Sequence, residues 1–244
     1  GAAAAHAFRG KSAIDLFILY PDGRVSDVQR RQMTTVADDN VHTLAVEGDF
    51  DDCQRIVKDL FVDRAFNERV GMSGVNSINW ARVAAQISYF IFAGLALGAP
   101  HRRVAFSVPT GNFGDILAGY VAREMGLPIE RLVIATNQND ILDRLTRTGR
   151  YEPGRVAPST SPSMDIQVSS NFERLVFDLA GRDARSVKER LSGVPRQGFA
   201  LTNSERTEML KLFSSGRADD AETGETIGAV YRDTGMVIDP HTAV

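Results

Sequence analysis

The 244-residue sequence holds a single cysteine, Cys53. It has no partner for an internal disulfide, so a reducing compartment is expected, and the cytoplasm is the default. Nor is there a surplus of positive charge. The 28 Lys and Arg against 31 Asp and Glu leave a formal net charge of −3, which argues against nucleic acid or an anionic membrane as partner. Long apolar runs are missing too. The best candidate, "ISYFIFAGLALGAP", has about 13 apolar residues where a bilayer span needs about 20, so it is expected as a buried helix. The histidines show no metal-ligand spacing, and no metal is expected. The opening "GAAAAHAF" has neither the charged start nor the cleavage pattern of a secretory signal. It also lacks an initiating Met, and the chain stops after "DPHTAV". An excised, internal portion of a longer polypeptide is expected.

What the sequence does have is alternation. Short apolar runs bounded by turn residues are followed by helical patterns, the sign of a mostly parallel sheet with crossover helices in an α/β fold. Strands are expected at residues 14–21 (as a buried run), at "VHTLAVEG", at residues 104–108 and at residues 130–137. Helices are expected at "AAAAHAFRG", at "VSDVQRRQMTTV" with Ser26 as cap, and over "FDDCQRIVKDLFVDRAFNERVG". In that last pattern Cys53, Ile56, Val57, Leu60 and Phe61 share a face. A small, polar, aperiodic stretch places a domain boundary near Gly74, giving domains 1–73 and 74–244. An apolar helix is expected over residues 80–97. "YEPGRVAPSTSPSMD" is loop by its Pro, Ser and Gly content. Residues 171–234 are expected to be mainly helical, with breaks near Gly193 and Gly216. The aromatics Tyr89, Phe90 and Phe92 are expected in the core.

One junction carries chemistry. The strand at residues 104–108 runs into "PTGNFGD" and then into an amphipathic helix. Free amides and the positive end of the helix dipole make such a junction an anion site. Gly111 and Gly114 permit close approach and, if needed, positive φ. Asn112 can add a donor, and Asp115 is expected to cap the helix instead of meeting an anion. A plain strand-turn-helix connection is the alternative. The loop has neither the Gly-Lys-Ser/Thr of a P-loop nor the Gly-x-Gly-x-x-Gly of a dinucleotide fingerprint, and the bulky Phe113 suits neither. An anion held there needs no metal and no lysine clamp. Pyridoxal phosphate fits, because its phosphate is a handle while its chemistry lies elsewhere on the ring.

"PTGNFGD" with "ILAGYVAREMGLP" resembles the phosphate-binding loop of threonine synthases of the long bacterial and fungal type. Four further stretches agree in order and spacing: "FILYPDGRVSDVQRRQM", "NSINWARVAAQISYF", "SPSMDIQVSSNFERL" and "DPHTAV". Together they cover nearly the whole chain. The resemblance implies a two-domain, fold-type-II pyridoxal phosphate enzyme with a three-layer αβα architecture, here incomplete at both ends. It implies conversion of O-phospho-L-homoserine and water to L-threonine and phosphate, with the cofactor between the domains. Its phosphate would lie on Gly111, Asn112, Phe113, Gly114 and Asp115. Asn79 and Arg82, three apart and sharing a helical face, would hold the substrate phosphate. Helix capping by Asn76 or Ser77 with Arg82 in a surface ion pair is the plainer reading.

No catalytic residue is assigned within the chain. Lys11, Lys58, Lys188 and Lys211 do not sit in the Ser-Phe-Lys type of segment the family uses. The Schiff-base lysine is expected upstream of Gly1 and the pyridine-nitrogen partner beyond Val244. His6 is expected on a helix surface or in the core, His241 as a loop-holding residue oriented by Asp239, and Cys53 as inert. Rival readings are another fold-type-II lyase, a non-catalytic binder of a phosphorylated ligand, and a doubly wound domain without pyridoxal phosphate.

Overall fold

The computed structural model describes residues 1–194 and 197–244. The chain divides into two compact units, Gly1–Val75 and Asn76–Val244.

The first unit contains α1 (Ala2–Phe8), β1 (Leu16–Pro21), α2 (Asp27–Thr34), β2 (Val41–Val46), α3 (Phe50–Val62) and α4 (Arg64–Val70). β1 and β2 pair in parallel, from Leu16 opposite Val41 to Pro21 opposite Val46. The expectation of a wholly buried strand is corrected here. Leu16, Ile18 and Tyr20 are buried with Ala5, Met33, Val36 and Val41. Phe17, on the other face, is 59% exposed. The single helix expected from residue 50 onward is also corrected: it is two. Asp63 leaves the helical region at the end of α3 and caps α4, its carboxylate accepting from the Phe66 amide at 3.0 Å. A short acidic side chain that can satisfy an orphan amide starts a new helix more readily than it continues an old one. Ser26 caps α2 as its sequence position predicts, accepting from Gln29 N at 3.2 Å. Cys53 is buried, and burial pushes its thiol up to about 11. That leaves it inert as a nucleophile.

The second unit begins with α5 (Trp80–Ala96), β3 (Val104–Pro109), α6 (Gly114–Glu124), β4 (Ile129–Thr136), α7 (Ile141–Thr148) and the two-residue β5 (Arg150–Tyr151). It continues with α8 (Phe172–Leu179), α9 (Ala184–Leu191), β6 (Phe199–Ala200), α10 (Asn203–Leu212), β7 (Phe213–Arg217) and α11 (Asp220–Thr234). The central sheet is parallel in the order β3-β4-β7. β7 falls inside the span expected to be helical. Only Phe213 in "FSSGR" is apolar and buried, so neither period was visible. The strand is set by its register on β4, Leu132 opposite Phe213 to Thr136 opposite Arg217. Ser215 also donates to Asp143 Oδ1 at 2.7 Å.

α5 is not buried all round. Val83, Ile87, Phe90 and Gly94 form its buried stripe. A Cβ on Gly119 of α6 would lie 2.7 Å from the Phe90 ring, so that glycine makes room for Phe90. Tyr89 is 62% and Phe92 78% exposed, so of the three aromatics only Phe90 is core. The C-terminal ends of β3 and β4 carry the loops at residues 110–113 and 137–140, the edge of a parallel sheet where ligand sites form.

Candidate functional site

β3 ends at Pro109, and Thr110 locks the turn. Its amide donates to Ala135 O at 2.7 Å and its hydroxyl to Val108 O at 2.6 Å. Phe113 then takes the left-handed conformation (φ 61°, ψ 10°) immediately before α6. Its ring is 1% exposed and packs edge-on against Phe172 at 5.2 Å, with Phe213 at 5.8 Å. The bulky residue between the glycines is therefore the loop's anchor in the core. Neither Gly111 nor Gly114 has positive φ. Their role is close packing: a Cβ on Gly111 would sit 3.0 Å from Ser163 O and 3.2 Å from Met164 Cα, and one on Gly114 would sit 2.8 Å from Ser77 Cβ.

The loop's carbonyls are turned toward a clamp formed by residues 169–171. The Ser169 hydroxyl donates to Gly111 O at 2.9 Å. Asn171 donates to Asn112 O from both its backbone and its side-chain amide, each at 3.1 Å, and its side chain also donates to Ser77 Oγ at 2.9 Å. The Ser170 hydroxyl donates to Asn112 Oδ1 at 3.3 Å. Phe113 offers no side-chain cap to α6, and the first-turn amides of Gly114, Asp115 and Ile116 have no acceptor within the helix.

Asp115 does not cap the helix, contrary to expectation, because it lies inside the first turn at its second position. Its Oδ1 is buried without a hydrogen-bond partner among the described residues. Burial pushes its carboxyl above the ordinary carboxylate range, with the Arg82 charge pulling the other way.

Asn79 also has a structural task. It is the N-cap of α5, its Oδ1 accepting from Ala81 N at 2.9 Å, so the cap is neither Asn76 nor Ser77. Arg82 sits one turn on, three residues into the helix start, its amide donating to Asn79 O at 3.1 Å. The fold does bring Arg82 within electrostatic range of Asp115 and Ser77 against Gly114.

His241 accepts from the Ser163 amide on Nε2 at 3.2 Å, while its Nδ1 lies 3.1 Å from Asp239 Oδ1. Accepting on Nε2 puts the proton on Nδ1, facing Asp239. The Asp239 carboxyl is held below the usual range, chiefly by the Thr242 hydroxyl and further by the His241 and Thr242 amides. Among the described residues, no group of three or more His, Cys, Asp or Glu is placed to hold a metal, and no helix is long and apolar enough to cross a membrane.

No family model matches the chain. A curated threonine synthase of Pseudomonas aeruginosa is 55% identical over 245 residues, covering 100% of this chain and 52% of that protein. A crystal structure of PLP-bound threonine synthase from Brucella melitensis matches with a TM-score of 0.88 and 53% identity, covering 99% of this chain and 52% of that one. The yeast threonine synthase structure matches with a TM-score of 0.84 and 46% identity, covering 100% and 51%. The chain belongs to the threonine synthase family. It spans about half the length of the curated relatives it matches.

Its α/β architecture of parallel sheets and crossover helices is the fold-type-II arrangement of those threonine synthases. The threonine synthase stretches of the second unit converge on one place. "PTGNFGD" is the turn from β3 into α6, and "NSINWAR" supplies Ser77 and the start of α5. "SPSMDIQVSSN" passes Gly111 and then clamps its carbonyl, and "DPHTAV" holds Ser163 through His241. The clamp residues Ser169, Ser170 and Asn171 carry no chemistry-bearing pattern in sequence. Their only signal is an aperiodic polar run just before a helix.

Proposed function

We propose that the protein containing this chain is a threonine synthase, a pyridoxal phosphate-dependent carbon-oxygen lyase that converts O-phospho-L-homoserine and water to L-threonine and phosphate. The observation that carries this reading is the 55% identity to a threonine synthase along the entire chain, loop and clamp included.

The residues present fit the cofactor's phosphate. The α6 N-terminus has no side-chain cap, and its preceding carbonyls are engaged by residues 169–171. Gly111, Asn112, Phe113, Gly114 and Asp115 would hold the phosphate through backbone amides and the Asn112 side chain. The cofactor supplies an electron sink for carbanion chemistry on an amino acid. Arg82, with the Asn79 side-chain amide donating alongside, would hold the substrate phosphate and stabilise the charge that builds as it leaves. Lys11, Lys58, Lys188 and Lys211 are all exposed, and we assign the Schiff-base lysine to sequence outside this chain.

The test uses the full-length protein with bound pyridoxal phosphate. Incubation with O-phospho-L-homoserine should release inorganic phosphate and threonine in equal amounts. Turnover of O-acetylserine or threonine with the phosphorylated substrate left intact would assign a different lyase. Cofactor-free protein that binds the substrate without turnover would make it a binder.

A further inference from the structure

The segment backing the anion loop is organised by one carboxylate that no part of the proposed reaction uses. Asp165 Oδ1 accepts from Asn137 Nδ2 at 2.8 Å, Asn139 Nδ2 at 2.9 Å and Ser159 Oγ at 2.6 Å. Its Oδ2 accepts from the Ser159 amide at 2.9 Å. Asn137, Asn139 and Ser161 around it are no more than 3% exposed. Asn137 and Asn139 lie just past the end of β4 and are themselves fixed. Asn137 Oδ1 takes the Asn139 amide at 2.9 Å, and Asn139 both donates to and accepts from the backbone of Ala157, each at 2.8 Å.

Asp165 stands at the junction of two pieces that touch the loop. Before it runs a strap, residues 159–164, whose Ser163 carbonyl and Met164 Cα abut Gly111. After it run residues 169–171, which take the carbonyls of Gly111 and Asn112. The strap is tied again by Asp220, which accepts from Thr160 N at 3.0 Å and Thr160 Oγ1 at 2.8 Å, and by His241 at Ser163. Asn137 Nδ2 also reaches Ser159 Oγ at 2.8 Å and Ser161 Oγ at 2.9 Å, and Asp165 gathers these same groups at the end of β4, the strand beside β3.

We propose that Asp165 is a positioning residue: by gathering Asn137, Asn139 and Ser159 at the end of β4, it fixes the strap and the clamp that hold residues 111–115 in their anion-binding form. Its consequence for the cofactor rests on the reading under Proposed function. The geometry makes a sharp demand on chemistry. Asp165 meets donors on both oxygens, so an isosteric amide cannot serve. In Asp165→Asn the amide NH2 must face either three donors at the Oδ1 position or the Ser159 amide at the Oδ2 position. The second is less unfavourable, so the strap releases at Ser159.

The experiment uses the full-length protein, with and without pyridoxal phosphate. In cofactor-free Asp165→Asn, the amides of Asn171 and Leu117, bonded to Asn112 O and Phe113 O, should exchange with solvent at least tenfold faster, while amides of α2 in the other unit are unchanged. In the loaded protein, the cofactor dissociation constant should rise about tenfold, and its bound 31P resonance should shift or broaden. Ser159→Ala removes the hydroxyl that donates to Asp165 and accepts from Asn137 Nδ2 and the Ser161 amide, but keeps the Ser159 amide on Asp165; it should give a change in the same direction and serves if Asp165→Asn does not fold. Unchanged local exchange, or an unchanged 31P signal and dissociation constant in loaded protein, overturns the proposal even if the melting temperature falls. Failure of the wild-type protein to bind pyridoxal phosphate, with faster exchange in the variant, sinks the cofactor reading and leaves the positioning role standing.

Discussion

Phe113 shows how a single residue can be strained and retained. A non-glycine residue in the left-handed region costs about 1–2 kcal/mol, while burying a phenylalanine side chain returns about 1.5–3 kcal/mol. The ring under the loop therefore holds the backbone in a form that glycine would adopt more easily but could not anchor. Asp115, two residues on, lies beside the same turn with a buried oxygen that has no hydrogen-bond partner among the described residues. Its folded-state affinity for a proton is raised, mainly by burial and against the pull of Arg82. The folded protein thus binds a proton more tightly there than the unfolded chain, and stability falls as pH rises from the ordinary carboxylate value of about 3.9. Asp115→Asn has no charge to desolvate. In cofactor-free, full-length protein it should raise the melting temperature at pH 7, with the gain shrinking toward zero as the pH approaches 4. A gain independent of pH between 4 and 8 would show that the carboxyl is not desolvated.

At the scale of elements, legibility followed the number of residues that report a period. α2, α5 and α6 announce themselves through several apolar positions and, for α2, a serine cap. The strands β3 and β4 are apolar runs closed by turns. β7 offers one buried apolar residue, and only its pairing with β4, 80 residues away in the Thr136–Gly216 bond, makes it a strand. The site followed the same rule. The loop at residues 111–115 was visible because glycines and a strand-helix junction are local. The clamp at residues 169–171 and the strap were not, because their meaning lies in contacts far away in sequence, 58 residues for the clamp. β7 also shares a core with the loop, since Phe213 is 1% exposed and lies near Phe113 and Tyr120. Phe213→Ala should destabilise the protein by about 3–5 kcal/mol, read as a lowered denaturation midpoint. A change below about 1 kcal/mol would mean that β7 is not packed against the loop's anchor.

For the molecule as a whole, the formal net charge of −3 gives no general attraction for dianions. The two phosphate-bearing ligands of the proposed reaction would then be captured locally, and the two candidate positions use different physics. The loop at α6 offers backbone amides on a fixed turn, with its carbonyls tied back by residues 169–171. Arg82 offers an exposed guanidinium. Exposed charges more than about 8–10 Å apart are screened at moderate salt, and flexible exposed pairs weaken further. Raising NaCl from about 50 to 200 mM, where the screening length drops below about 10 Å, should therefore change the cofactor dissociation constant little. The apparent KM for O-phospho-L-homoserine should rise clearly. Arg82→Ala should raise that KM about tenfold or more, the worth of a hydrogen bond to a charged group, and remove most of its salt dependence. Cofactor occupancy should stay normal. Loss of cofactor in Arg82→Ala, with KM unaffected in the molecules that retain it, would move Arg82 to the cofactor's phosphate and leave the substrate's to another residue.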